Sequence, residues 1–254
     1  MREIPFPFRE PEPEEPSFEQ RLREAGSEEL LALVKERIGE LEVDAAQQAL
    51  RNSHCTAEVV EVLANHPRLV SFYEIRRDVA LHPRTPEPLA MRFVPGLFWR
   101  DLVALGVDTR VRPRVRRTAD EHLILRLPQL AVGEKVTIAR RAGAGVIAHL
   151  RHDPSPRVIA ALLDNPRLTE DLLAPLAHAA ATPGAVLALI AVDRRWGARY
   201  SLQVALSRNP ATPVAAALRI LPLLRKPELR AAAQDPRISE TVRIRARLLL
   251  GEES

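Results

Sequence analysis

Cysteine, lysine, aromatic residues and long apolar runs are all scarce in this 254-residue chain, and each scarcity excludes something. A single cysteine, Cys55, rules out a disulfide framework and any multi-cysteine zinc or iron–sulfur site. No run of about 18 apolar residues occurs, and Met1 to Pro11 lack a charged-then-apolar leader pattern. Neither a membrane span nor secretion is therefore expected, and the cytoplasm is the expected location. The ten glycines form no phosphate-cradling loop and no Gly-x-Ser-x-Gly elbow, and no paired-carboxylate motif stands beside them. No catalytic residues and no cofactor are expected. Among seven scattered histidines, His149 and His152 sit three apart and could offer two imidazoles to a metal, with Asp153 as a third ligand. Solvated histidines at a helix end are the plainer expectation, and no metal is assigned.

What the chain has in excess is proline and arginine: 22 Pro against 10 Gly, and 34 Arg, since only Lys35, Lys135 and Lys226 are lysine among 37 basic residues. Apolar residues make up 46%, enough for a large core. The prolines fall into two sets. One follows a short polar residue and precedes an apolar segment, as in Thr85-Pro86, Ser155-Pro156, Thr182-Pro183 and Thr212-Pro213. A Ser or Thr N-cap followed by proline at the first helical position predicts helix starts there. The other set ends helices, because the residue before proline is pushed out of the helical region. Its members are His66-Pro67, His82-Pro83, Asp153-Pro154, Asn165-Pro166, Asn209-Pro210 and Asp235-Pro236. Between the stops, apolar residues recur at three and four, as in Leu30, Leu31, Val34 and Ile38, or Val136, Ile138, Ala139, Ala142 and Val146. The expectation is an all-α chain of about fifteen short helices, with loops as short as those between repeats.

The sequence also repeats itself. At an offset of 127, residues 57–123 align with 184–250 without a gap and are identical at 19 of 67 positions, among them Tyr73/Tyr200, Thr85/Thr212, Pro95/Pro222 and Leu102/Leu229. At an offset of 113, Asn52, Thr56 and Val59 lie over Asn165, Thr169 and Leu172. Repetition of helix pairs along a chain predicts a solenoid in which each unit buries its apolar face only against its neighbours.

Particular phrases carry a family resemblance. The run Asp153-Pro154-Ser155-Pro156-Arg157-Val158, and Asp108 followed by Val115-Arg116-Arg117-Thr118-Ala119, resemble the short HEAT-type repeat, whose pattern is Asp-Pro, then Val-Arg, then Ala and Leu. The phrases at Asn209 to Pro213 and His82 to Pro86 resemble bacterial leucine-rich repeat variant proteins. The resemblance covers about residues 45 to 250 and implies a right-handed α-solenoid of HEAT-like repeats, whose usual role is a non-enzymatic protein-binding scaffold. Some repeat variant proteins carry an iron–sulfur cluster on a cysteine-rich segment, and one cysteine cannot supply that. The expected organisation is an acidic, proline-rich and largely disordered tail over residues 1–26, then a single solenoid domain over 27–254. Its duplicated halves lie at about 45–127 and 133–250, and a capping helix begins at Ser27.

Charge is uneven: residues 1–50 hold 13 acidic and 6 basic groups, which leaves +11 on residues 51–254. The densest basic run comprises Arg110, Arg112, Arg114 and Arg117 around Arg116, able to grip phosphates or an acidic partner. The resemblance implies that Asp108 and Arg116, and their repeats Asp235 and Arg243, are structural pairs. A second candidate surface is Arg194, Arg195, Trp196 and Arg199. Trp beside Arg and Asp, as also at Trp99-Arg100-Asp101, is similar to the alkylpurine DNA glycosylases of this architecture. The +11 on residues 51–254 makes nucleic-acid binding by an arginine-rich concave face the alternative to an unknown protein partner, with such a glycosylase as a remote case. At Trp99 itself, whose counterpart is Lys226, packing at a helix start is the plainer expectation. A monomer is expected. Cys55 lies just ahead of a helix start, where a thiol pKa can fall. Its echo at offset 113 is Leu168, so burial is the simpler expectation. The acidic tail could compete for the basic surface.

Overall fold

Everything regular in residues 17–251, the part described by the computed structural model, is helical: 18 α-helices and three single-turn 3-10 segments, without a strand. The helices run from 5 to 14 residues, shorter and more numerous than the periodicity predicts. The run from Val136 to Val146 shows why. Its apolar spacing continues across a break at residues 140–143, so two helices read as one.

The chain divides into two compact units. The first takes the described residues to Leu97, with Arg110–Arg112, and contains α1 (Phe18–Glu24), α2 (Ser27–Arg37), α3 (Val43–Arg51), α4 (Ala57–Asn65), α5 (Pro67–Ser71), α6 (Tyr73–Leu81) and α7 (Glu87–Phe93). The second takes Phe98–Thr109 and the chain from Pro113. It opens with α8 (Trp99–Val107), α9 (Pro113–Arg126), α10 (Val132–Ala139), α11 (Ala144–Leu150), α12 (Pro156–Leu163) and α13 (Glu170–His178). It continues with α14 (Gly184–Val192), α15 (Tyr200–Arg208), α16 (Val214–Ile220), α17 (Lys226–Gln234) and α18 (Glu240–Leu250).

Packing is local in each unit. In the first, α1 packs on α3 and α2 on α4; in the second, α10 packs on α12, α12 on α14, α14 on α16 and α16 on α18. The stripes that meet are apolar and fully buried, for example Val59, Val60 and Leu63 on α4, Ile159 and Leu162 on α12, and Leu202 and Leu206 on α15.

The duplication seen in sequence recurs in the elements. α4, α6, α7 and α8 coincide residue for residue with α14, α15, α16 and α17 at an offset of 127. α13 coincides with α4 at 113, with Thr169 and Thr56 as N-caps. α5 has no helical counterpart. There Asp193 Oδ1 accepts from the amides of Arg195 and Trp196 at 2.8 and 2.9 Å and winds the chain into turns. Gly197 lets those turns close: a Cβ on it would sit 2.6 Å from the Ala191 carbonyl oxygen.

Prolines take more places than the two expected, Pro175 lying inside α13. His66, His82, Asn209 and Asp235 do follow helices directly. Of the four expected Ser/Thr caps, only Ser155 is the N-cap residue, and its side chain makes no cap bond. At the other three the helix begins after the proline, and Pro86, Pro183 and Pro213 are the N-caps. The Thr85 and Thr212 hydroxyls point back instead, donating to the carbonyls of Val79 and Leu206 at 2.6 and 2.7 Å. A further place is a 3-10 turn closing a helix, centred on Pro95, Pro128 and Pro222.

One device recurs between helices. The buried side-chain amides donate to carbonyls of an earlier helix end: Asn52 to Leu22, Arg23 and Ala25, Asn165 to Ala139 and Ala142, and Asn209 to Ala177 and Ala179, at 2.7 to 3.2 Å. Each Oδ1 accepts from the amide two residues on. Last-turn carbonyls have no partner within their own helix, so such a staple satisfies them and locks neighbouring helices. His82, aligned with Asn209, makes the turn bond with its ring: Nδ1 accepts from Arg84 N at 3.2 Å.

The staple at Asn52 also corrects the expected tail. Residues 17–26 are ordered: Ser17 caps α1, Leu22 is fully buried, and Asn52 holds the helix's last carbonyls. Ser27 opens α2, but its hydroxyl donates to the His54 carbonyl, and the N-cap is Gly26. The expected docking of Phe6 and Phe8 and the rest of the tail lie outside the described residues.

Candidate functional site

Arg110 and Arg112 belong to the first unit and Arg114 and Arg117 to the second. All four are exposed, and Arg110 and Arg114 have partners of their own. In the other group Arg194 and Arg199 are exposed, but Trp196 is not a binding residue. Its side chain is 1% exposed, its indole N–H donates to the Leu163 carbonyl at 3.0 Å, and the Arg195 guanidinium covers the ring at 4.3 Å. Arg195 in turn donates to the carbonyls of Asn165 and Leu168. Arg68, its counterpart, holds the Leu41 carbonyl, which is the counterpart of Leu168. The identity of Arg68 and Arg195 at offset 127 was the signal that this arginine is structural.

The expected repeat pairs also need correction. Asp235 does not pair with Arg243. It accepts from the Arg237 backbone and side chain, with Nη2 to Oδ2 at 2.7 Å, which pulls its carboxyl down to about 2. Arg243 bonds Glu240 instead. The aspartate after a helix is therefore the acceptor of its own turn, the role that Asn165 and Asn209 also play. Arg116 lies one turn from Asp120 and favours its ionised form, while the Arg116 Nε is buried without a hydrogen bond, as is that of Arg243. Asp108 has a partner of its own.

His149, His152 and Asp153 are not brought together as ligands. Asp153 pairs with Lys135 at 3.0 Å and accepts from Ser155 N, and His152 accepts from Arg151 Nε. Cys55 is 1% exposed, and burial pushes its thiol up to about 11, the opposite of an activated nucleophile. As expected from its echo, it is a core residue.

The arrangement with most chemical potential is a groove of about 510 Å³ inside the second unit. α8 supplies its floor, with Val103, Ala104 and Val107 a turn apart on one face and Trp99 at the helix start. The indole is half-buried and anchored, its N–H donating to Glu134 Oε1 on α10 at 2.9 Å while Glu134 Oε2 caps the Ala131 amide. Arg100 lies over the ring at 5.2 Å, and Arg141 and Arg167 line the opposite wall. All three arginines are exposed, and none pairs with a carboxylate among the described residues. Arg167 makes one long bond, 3.4 Å, to the Arg141 carbonyl. The site offers guanidinium donors and an apolar floor, and its Thr137 hydroxyl already donates to Gly133. Of this group only Trp99 and Arg100 drew attention in the sequence. Arg141 and Arg167 are 26 residues apart in ordinary loop contexts, and only the packing of α10 and α12 brings them to α8.

Behind α8 the packing is unusually close. The Asp120 carboxyl on α9 lies between α8 and α11, so that a Cβ on Gly106 would come within 2.4 Å of Oδ1 and one on Gly145 within 3.0 Å of Oδ2. Burial raises its pKa from 3.8 to about 6 against the pull of Arg116. Gly143, which reads as a residue inside a helix, is the N-cap of α11. Comparison with known protein families, curated proteins and solved structures finds no match to this chain.

Proposed function

We propose that the chain is a right-handed α-solenoid of HEAT-like repeats that works as a non-enzymatic scaffold and binds a partner protein. The observation that carries this reading is the recurring staple at Asn52, Asn165 and Asn209, a lock from one helix end to a later turn of the kind a stack of short helical repeats needs. The open, unpaired groove on α8 gives that stack something to hold with. The arginines weaken the nucleic-acid alternative. Arg68, Arg84, Arg92, Arg151 and Arg195 donate to backbone carbonyls, so part of the +11 charge is committed to architecture. The test is capture of proteins from source cells by the purified chain, then calorimetric titration of the purified candidate. Saturable binding supports the scaffold. Recovery of no protein, together with nanomolar nucleic-acid binding that falls steeply with salt, overturns it.

A further inference from the structure

Three guanidinium groups and a fixed indole converge on one apolar floor, and the surface around them narrows the class of ligand. The donors are all cationic or already committed, and unpaired guanidinium groups call for an anionic ligand. A guanidinium fork matches a carboxylate with two parallel hydrogen bonds. The floor of Val103 and Val107 suits a bulky apolar side chain. Two neighbours in sequence of groove residues are exposed and apolar: Phe98, next to Trp99, is 63% exposed, and Val132, two residues before Glu134 on α10, is 41% exposed.

The internal duplication adds an independent argument. α17 repeats α8 position by position and keeps the buried Leu102 as Leu229. Among the groove positions Ala104 is kept as Ala231, while Trp99, Arg100, Val103 and Val107 become Lys226, Pro227, Arg230 and Gln234. The scaffold residue is common to both helices, and the ligand-facing set occurs on one.

We infer that the Trp99 groove binds an acidic peptide segment of a partner protein, seating one bulky apolar side chain on Trp99, Val103 and Val107 and holding flanking carboxylates with Arg100, Arg141 and Arg167. This rests on the scaffold reading and names the chemistry of its partner. The anchored indole keeps the seat in one orientation before the peptide arrives, which limits the ordering cost of binding. The charged contacts make the affinity sensitive to salt.

The test selects peptides from a displayed random library of about twelve residues against the full chain, a length that spans an interface segment of this kind. The expected winners combine two or more Glu or Asp with a neighbouring Phe, Leu or Trp. Synthetic copies should lose about tenfold in affinity when Arg141→Gln and Arg167→Gln are combined, and a similar factor with Trp99→Ala. Circular dichroism should be unchanged, because all three side chains face solvent at least in part. No enrichment, a neutral or basic consensus, or affinity indifferent to these variants overturns the inference. So does a single-stranded oligothymidylate that binds more tightly than the best peptide and is lost in the same variants. A captured partner protein that binds the double variant at full strength removes the groove from the account and leaves the scaffold reading standing.

Discussion

Residues 57–123 and 184–250 share helix bounds, the Thr85/Thr212 back-bonds and the Arg68/Arg195 clasps, yet they differ in two places that matter. One is the exposed face of α8 against that of α17. The other is the acceptor of the turn bond, an imidazole at His82 and a side-chain amide at Asn209. An amide oxygen accepts at any ordinary pH. The ring does so only while neutral, because Nδ1 must accept. The two copies thus use one geometry with different chemical tolerance, and what they share is architecture.

The largest effect should come from removing a staple. Asn165→Ala leaves two buried carbonyls and the turn amide of Arg167 without partners, and should cost about 3 kcal/mol in urea unfolding. A loss below about 0.5 kcal/mol would show that the staple is incidental. Next is Gly106→Ala, whose new methyl group meets the Asp120 carboxyl. A loss of about 2 kcal/mol is expected, and combining it with Asp120→Ala should recover part of that loss, a coupling a double-mutant cycle can read.

Two predictions concern pH, and their signs are opposite. Asp120 has its pKa raised from 3.8 to about 6, so its contribution is fully present below 3.8 and is lost as pH rises through about 6. Asp120→Asn should therefore stabilise the chain by about 1 kcal/mol near neutrality, after allowing for partial exposure, and lose that advantage in acid. The measurement is urea unfolding on each side of pH 6. His82 has its pKa lowered from 6.5 by burial and by Arg84. Its contribution is complete above 6.5 and falls away as pH drops below that value, where the unfolded chain takes up the proton first. His82→Asn should be nearly neutral in alkaline buffer, within about 0.5 kcal/mol, and should flatten the acid side of the curve. Asn209→His should impose the same acid sensitivity on the second copy. If both variants leave the pH profile unchanged, the two turn acceptors are not equivalent.

Much of this was legible in the sequence. The all-helical class, the two internal offsets and most helix stops follow from proline placement and three-four spacing. The direction of Thr85 and Thr212 was not, because a hydroxyl before proline can cap forward or bond backward and only the neighbouring helix decides. The pairing of Asp235 was missed for a related reason: the aspartate's nearest donor is two residues away in its own turn, and a repeat pattern spaced by eight residues hides it. The groove was legible only at Trp99 and Arg100. Its other walls come from residues separated by up to about 70 positions, which no local pattern joins.

The buried thiol has a use of its own. Cys55 sits between α3 and α4, shielded from solvent, and the Arg84 guanidinium binds its carbonyl. With its thiol pushed up to about 11, almost no thiolate exists at neutral pH, and no second cysteine competes for a reagent. Uptake of a thiol-specific reagent would then record only moments when the α3–α4 junction opens. The chain carries its own stopwatch for breathing in the first unit, readable without a label or an engineered probe.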